Sequence, residues 1–225
     1  MMEKKKRATP WKPGKVISIS LRNGVYVLAQ MVRDPYLVFF NHFNEENNWK
    51  GVTLKEEDIL FCKAVTRQFL RYSPVAIIKE VTPLLDYELP KEWIYSHIGG
   101  HPITVSVKGR ERQLAGFGRR CSLVLADKDS GQPEDNPLMG LFQAYIIPDI
   151  KEQDWDRVGQ AEHMSIEVFP TLNERLYLCF LYGKNINPEQ DISLGKPLLD
   201  DYETYVDILT NSPEARRLYI GEHEE

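Results

Sequence analysis

The apolar positions fall into short runs punctuated by turn residues, a pattern of strands more than of long helices. Val16, Ile17, Ile19 and Leu21 are followed by Arg22-Asn23-Gly24-Val25, and Val25 to Val32 returns as a second run. Asn-Gly between apolar runs is the strongest short hairpin signal. Asp34-Pro35 marks the next turn and Tyr36 to Phe40 the third run, so a three-stranded antiparallel meander is expected.

Beyond a polar loop over Asn41 to Gly51, Thr53-Leu54-Lys55-Glu56 matches a capping box and predicts a helical turn or two over Lys55 to Leu60. Phe61 to Leu70 fits either helix or strand, and Val75 to Val81 reads as strand. Pro83 to Pro102 has three prolines, a Gly-Gly pair and no steady period, which suits a connector between lobes. Ile103 to Val107 alternates before a Lys108-Gly109 turn. Cys121 to Ala126 and Leu141 to Ile147 read as strands, separated by a loop over Asp127 to Pro137.

Met164 to Phe169 and Arg175 to Tyr182 read as a hairpin closed by Pro170 to Glu174. Tyr202, Tyr205, Val206 and Leu209 lie at i, i+3, i+4 and i+7, one face of an amphipathic helix that starts at Asp200 and Asp201. Ser212-Pro213 suits the start of a further short helix. The fold class expected is α+β: mainly antiparallel sheet or a partly open barrel, with a few short helices. Three segments are expected: a basic N-terminal arm over 1–12, a β-meander lobe over 13–90, and an acidic β-rich lobe with a C-terminal helix over 91–225.

Charge divides the chain further along, after residue 126. Residues 1–126 hold 20 Lys/Arg and 12 Asp/Glu, a balance of +8. Residues 127–225 hold 8 and 21, a balance of −13. Such asymmetry bears on partners and association rates rather than on fold. The three cysteines are far apart, which fits a reducing compartment. The longest apolar run, Leu176 to Tyr182, is too short to span a bilayer, and the basic start runs into Thr-Pro-Trp-Lys-Pro-Gly rather than an apolar signal segment. A cytoplasmic location is the expectation, with no membrane partner.

No motif fixes a catalytic, cofactor or metal site, and the expectation is a binding protein rather than an enzyme. His97 and His101 have the spacing of a helical metal pair, but Gly99, Gly100 and Pro102 oppose a helix there. Cys121 follows two arginines, which would lower a thiol pKa, yet it opens an apolar strand as a buried residue would. Gly116-Phe117-Gly118 lacks the rest of a phosphate loop. Lys108, Arg110, Arg112, Arg119 and Arg120 form a basic stripe, and a nucleic-acid-binding module is the alternative function. It is set against an acidic chain with no stacking motif.

The acidic set is the preferred partner surface. It comprises Asp149, Glu152, Asp154 and Asp156 around Trp155, then Asp200, Asp201, Glu203 and Asp207 around Tyr202 and Tyr205. Carboxylates would steer a basic protein in, and an aromatic anchor would supply the buried hot spot. The competing reading turns the three aromatics to the core.

Residues 10–80 also resemble a family of bacterial toxin-immunity proteins, immunity protein family 26. The likeness rests on Lys12-Pro13-Gly14-Lys15-Val16-Ile17-Ser18-Ile19-Ser20-Leu21, Asn23-Gly24-Val25-Tyr26 and Ala29-Gln30-Met31-Val32. Phe39-Phe40-Asn41 and Glu57-Asp58-Ile59-Leu60 add to it. Lys15 stands where the family usually has an acidic residue, and Ala29 where glycine is common. The resemblance implies a protein that binds a cognate toxin domain in the cytosol, often a nuclease, and neutralises it without catalysis. No residue-level site carries over.

Overall fold

In the computed structural model the Asn23-Gly24 pair turns the chain with both residues left-handed, at φ 58° and 74°. That region suits glycine and is tolerated by asparagine. The structure describes residues 9–97, 99–126, 142–212, 215, 218 and 219. In chain order the first elements are β1 (Val16–Ser20), β2 (Tyr26–Met31), β3 (Tyr36–Asn44), β4 (Ile59–Val65), α1 (Arg67–Tyr72), β5 (Val75–Ile78) and β6 (Glu92–His97). Then come β7 (Ile103–Val107), β8 (Arg110–Leu114), β9 (Arg120–Leu125), β10 (Ala144–Ile147), α2 (Trp155–Val158), β11 (Glu162–His163) and β12 (Ile166–Glu167). The last described elements are α3 (Thr171–Tyr182), α4 (Pro188–Leu194) and α5 (Glu203–Leu209). The fold is α+β, with mostly antiparallel strands in open sheets and short helices.

The chain divides into two compact units. The first is Met1–Glu88 with Ser165–Ile186 and Asp207–Glu225; the second is Leu89–Met164 with Asn187–Val206.

The first unit is built on a six-stranded sheet in the order β12-β4-β3-β2-β1-β5. The β1–β4 meander is antiparallel throughout, and β12 joins parallel to β4. Register places Ile17, Ala29, Phe39 and Phe61 in one row across the sheet. All four are buried, and the Phe39 and Phe61 rings stack at 4.8 Å. Burying each of the larger side chains is worth roughly 1.5–3 kcal/mol. α3 covers this face: the Arg175 guanidinium lies 3.7 Å over Phe61, and Phe180 meets Phe43 at 5.5 Å. The opposite row contains Gln30, whose side chain both donates to Leu84 O (2.7 Å) and accepts from Leu84 N (2.8 Å), leaving no buried amide group unsatisfied there.

Three expectations are corrected in these elements. Arg175 to Tyr182 is the C-terminal part of helix α3, not a strand of a hairpin; buried all round from Thr171 to Cys179, α3 shows no helical period. Thr53 forms a bridge with Thr82 rather than a cap, and the expected helix shrinks to one 3-10 turn over Glu56–Asp58 before β4. Thr66 is the residue that caps, accepting from Phe69 N (3.1 Å) at the start of α1.

The second unit holds a four-stranded sheet in the order β10-β9-β6-β11 and the separate β7–β8 hairpin. β6 lies inside the stretch expected to be a connector, so that expectation too is corrected. Pro90 sits just before the strand, and its carbonyl accepts from Trp93 Nε1 (2.8 Å). The hairpin turns at Lys108 (φ 50°) and Gly109 (φ 71°), the two left-handed positions of a type I′ turn. The core gathers Ile94, Cys121, Leu123, Ile150 and Val158, with Ile147, Trp155, Ala161 and Leu194 packed against it. α4 opens with Asn187 capping Gln190 N (3.1 Å) and Pro188 at its first position. At its other end Arg119 donates to Ile192 O (2.7 Å), a cation on a helix C-terminus.

The loop expected over Asp127 to Pro137, Leu141 at the head of its expected strand, and Pro213 lie outside the described residues. Among the described residues no helix is long and apolar enough to cross a membrane.

Candidate partner-binding surface

The segment that follows β10 is fixed by a main-chain bond from Ile150 N to Cys121 O (2.8 Å). Lys151 N then donates to the Asp154 carboxylate (2.9 Å), which closes a 3-10 turn over Glu152–Asp154 and leads into α2. Asp154 is therefore occupied as a local turn residue. Trp155 is half-buried against the core of the second unit, with Lys196 Nζ 5.5 Å from its ring centre. Tyr202 and Tyr205 are 1% and 2% exposed, and the Tyr202 hydroxyl donates to Asp191 (2.6 Å). The competing reading thus holds for both tyrosines: they belong to the apolar side of an amphipathic helix, which buries before it binds.

The carboxylates divide by environment. Asp149 pairs with Lys151 (2.8 Å); that bond, with Arg120 and His97 nearby, holds its carboxyl below the ordinary range. Glu203 pairs with Lys108 Nζ (2.8 Å) and Arg110 (3.3 Å) on the β7–β8 hairpin. The Lys108 bond lowers the Glu203 carboxyl, and the same bond raises the lysine. Part of the basic stripe and part of the acidic helix start therefore neutralise one another inside the second unit. Glu152, Asp156, Asp200 and Asp201 stay exposed. Asp207 belongs to the first unit.

Ahead of the acidic turn in the chain, β10 supplies what the sequence did not point to. Tyr145 and Ile146 are 48% and 37% exposed, and Ala144 is exposed too. The Tyr145 ring meets Phe142 at 4.9 Å, Phe142 meets Tyr95 at 5.3 Å, and Tyr95 meets His97 at 4.9 Å. The run Ala144-Tyr145-Ile146-Ile147 is legible as a strand. Its place at the sheet edge is set by tertiary pairing, which no local pattern carries. Tyr145 is the more exposed of the two aromatics, ahead of the acidic turn in the chain, whereas Trp155 packs against the core.

The other candidate groups have structural partners. His97 Nε2 lies 2.9 Å from Ser122 Oγ, and Ser122 Oγ donates to Pro148 O (2.6 Å). The hydroxyl has one hydrogen, so His97 Nε2 is the donor of that pair. Burial, with Arg120 beside it, lowers the His97 pKa. The described residues contain no group of three or more His, Cys, Asp or Glu side chains able to hold a metal ion. Cys121 is fully buried, and burial pushes its thiol pKa up, opposite to what a thiolate nucleophile needs. Gly116, at φ 80°, makes the turn that follows β8.

No curated protein and no solved structure matches this chain. Residues 5–108 match a family model described as a domain of unknown function (DUF8309), a description that names no activity and no immunity family.

Proposed function

We propose that the chain is a non-catalytic binding protein that captures a basic protein partner through the second unit, as an immunity-type inhibitor captures a toxin domain. The observation that carries this reading is the exposure of Glu152 and Asp156 directly after a strand that also exposes Tyr145 and Ile146. Exposed carboxylates steer a positive partner, and exposed aromatic and aliphatic groups supply burial on contact. The immunity reading adds to this the resemblance of residues 10–80, and with it a cytosolic partner such as a nuclease domain.

The test is association with the protein encoded beside this chain, followed by stopped-flow at rising salt and by a growth-protection assay. Association should slow as salt rises, and Glu152→Lys with Asp156→Lys should slow it further at low salt. Absence of binding, or kinetics indifferent to both salt and the two reversals, sinks the reading.

Nucleic-acid binding remains the alternative. It loses support from the engagement of Lys108 and Arg110 by Glu203, and of Arg119 by main-chain carbonyls at 2.7 and 3.0 Å. A steep fall of RNA or DNA affinity with salt would revive it.

A further inference from the structure

We infer that β10 is an acceptor edge, to which the partner adds an extended segment carrying lysine or arginine. The inference rests on the proposed capture of a basic protein, and it names the binding mode. Among the described strands β10 has one neighbour, β9, and stands at the end of its sheet. Gln143, Ala144, Tyr145 and Ile146 are all exposed, so the strand offers both faces as well as its outer edge.

Edge strands are ordinarily guarded by charge, proline or strong irregularity, because unpaired N–H and C=O groups template further pairing. Ala144-Tyr145-Ile146-Ile147 has no charged residue, and Pro148 lies past its end. The register shift between Tyr145 and Ile147 is the one irregularity in its pairing with β9. Strand addition draws affinity from main-chain hydrogen bonds and specificity from alternate side chains. Tyr145 would supply such a contact, backed by Phe142 at 4.9 Å.

Charge selects the occupant. From Asp149 to Arg157, after β10, the chain carries Asp149, Glu152, Asp154 and Asp156 against Lys151 and Arg157, a net −2, so the segment that fits is basic. The other sheet has a comparable edge in β5, with Ala76 and Ile77 exposed. There the next residues are Lys79 and Glu80, of opposite sign, and they favour neither charge.

The experiment titrates the full-length, isotope-labelled chain with an alternating valine–lysine peptide, using a valine–glutamate peptide as control. The lysine peptide should shift the amides of Ala144 to Ile147 and slow their hydrogen exchange; the glutamate peptide should leave both unchanged. Ile146→Lys places a guard charge on an exposed side chain and should weaken binding by roughly tenfold or more. Its circular dichroism should match the parent. Glu152→Lys with Asp156→Lys should weaken binding mainly at low salt.

Failure of the lysine peptide to bind, shifts that avoid β10, or an Ile146→Lys chain that binds normally overturns strand addition. Loss of binding through the two charge reversals alone keeps acidic capture and removes the edge; loss through Ile146→Lys alone removes acidic steering. Self-association without peptide, abolished by Ile146→Lys, would assign the edge to a second copy and overturn the proposal.

Discussion

The Glu174 carboxylate accepts from Arg22 twice, from Nε at 2.9 Å and from Nη2 at 3.1 Å. The two residues join the turn between β1 and β2 to helix α3. The Glu174 side chain is wholly out of solvent, whereas that of Arg22 is 22% exposed. The guanidinium also lies 3.6 Å over the Tyr177 ring, and the Tyr219 hydroxyl donates to the same carboxylate. Removing one member of a buried pair strands the other, at about 3–5 kcal/mol. Arg22→Met should therefore destabilise by several kcal/mol, at the low end of that range because water reaches the arginine. Glu174→Gln, which keeps an acceptor and drops the charge, should cost less, about 1–3 kcal/mol. Urea unfolding of both variants measures this, and two values within about 0.5 kcal/mol of the parent would reject it.

The share of the fold legible in the sequence follows from how local each signal is. Asn23-Gly24 needs only its own backbone preference, and it is a hairpin turn in the structure. Tyr205 and Val206 form the buried side of α5, and Tyr202 continues it from the 3-10 turn over Asp200–Tyr202 that leads into the helix. α3 has no such contrast: Asn173, Glu174 and Arg175 are buried beside Leu172 and Leu176, so the pattern carries no period. The Thr53 capping box was locally sound but lost to pairing with Thr82. At the candidate surface the carboxylates were visible as sequence. The exposure of Tyr145 depends on which strand ends the sheet.

The three cysteines give a direct check on packing. None of Cys62, Cys121 and Cys179 is in a disulfide, all three are buried, and Cys179 Sγ accepts from Ile186 N (3.3 Å). Burial also pushes the Cys121 thiol up, which lowers its reactive thiolate fraction further. A thiol reagent such as Ellman's should label none of them rapidly in the folded chain and all three after denaturation. Fast labelling of one thiol under native conditions would contradict the packing around it.

His97 gives the second unit a pH dependence of defined sign. Burial and the nearby Arg120 lower its folded-state pKa below the ordinary 6.5. Between the two values the unfolded chain binds the proton and the folded chain does not, so folding loses stability as pH falls below about 6.5. The contribution is complete above that pH and stops declining below the folded-state pKa. His97→Gln should flatten this part of the stability–pH profile while keeping a donor toward Ser122. An NMR titration midpoint above 6.5 for the His97 ring would reverse the sign and refute the prediction.

Gly195 and Gly183 end α4 and α3 in the same left-handed conformation, at φ 72° and 63°. Alanine at either position pays roughly 1–2 kcal/mol of backbone strain. Their surroundings differ. A Cβ at Gly183 would meet nothing within 4 Å, whereas one at Gly195 would stand 3.1 Å from Arg119 Nη1. That nitrogen donates to Ile192 O (2.7 Å), so yielding to the methyl group would stretch the bond that caps α4. Gly195→Ala should therefore cost more than Gly183→Ala, and the excess should shrink in an Arg119→Ala background, where the cap is already gone. Chemical denaturation of the four chains measures the coupling. Equal costs at the two glycines would mean that Arg119 moves aside freely, and that its bond to the helix end contributes little.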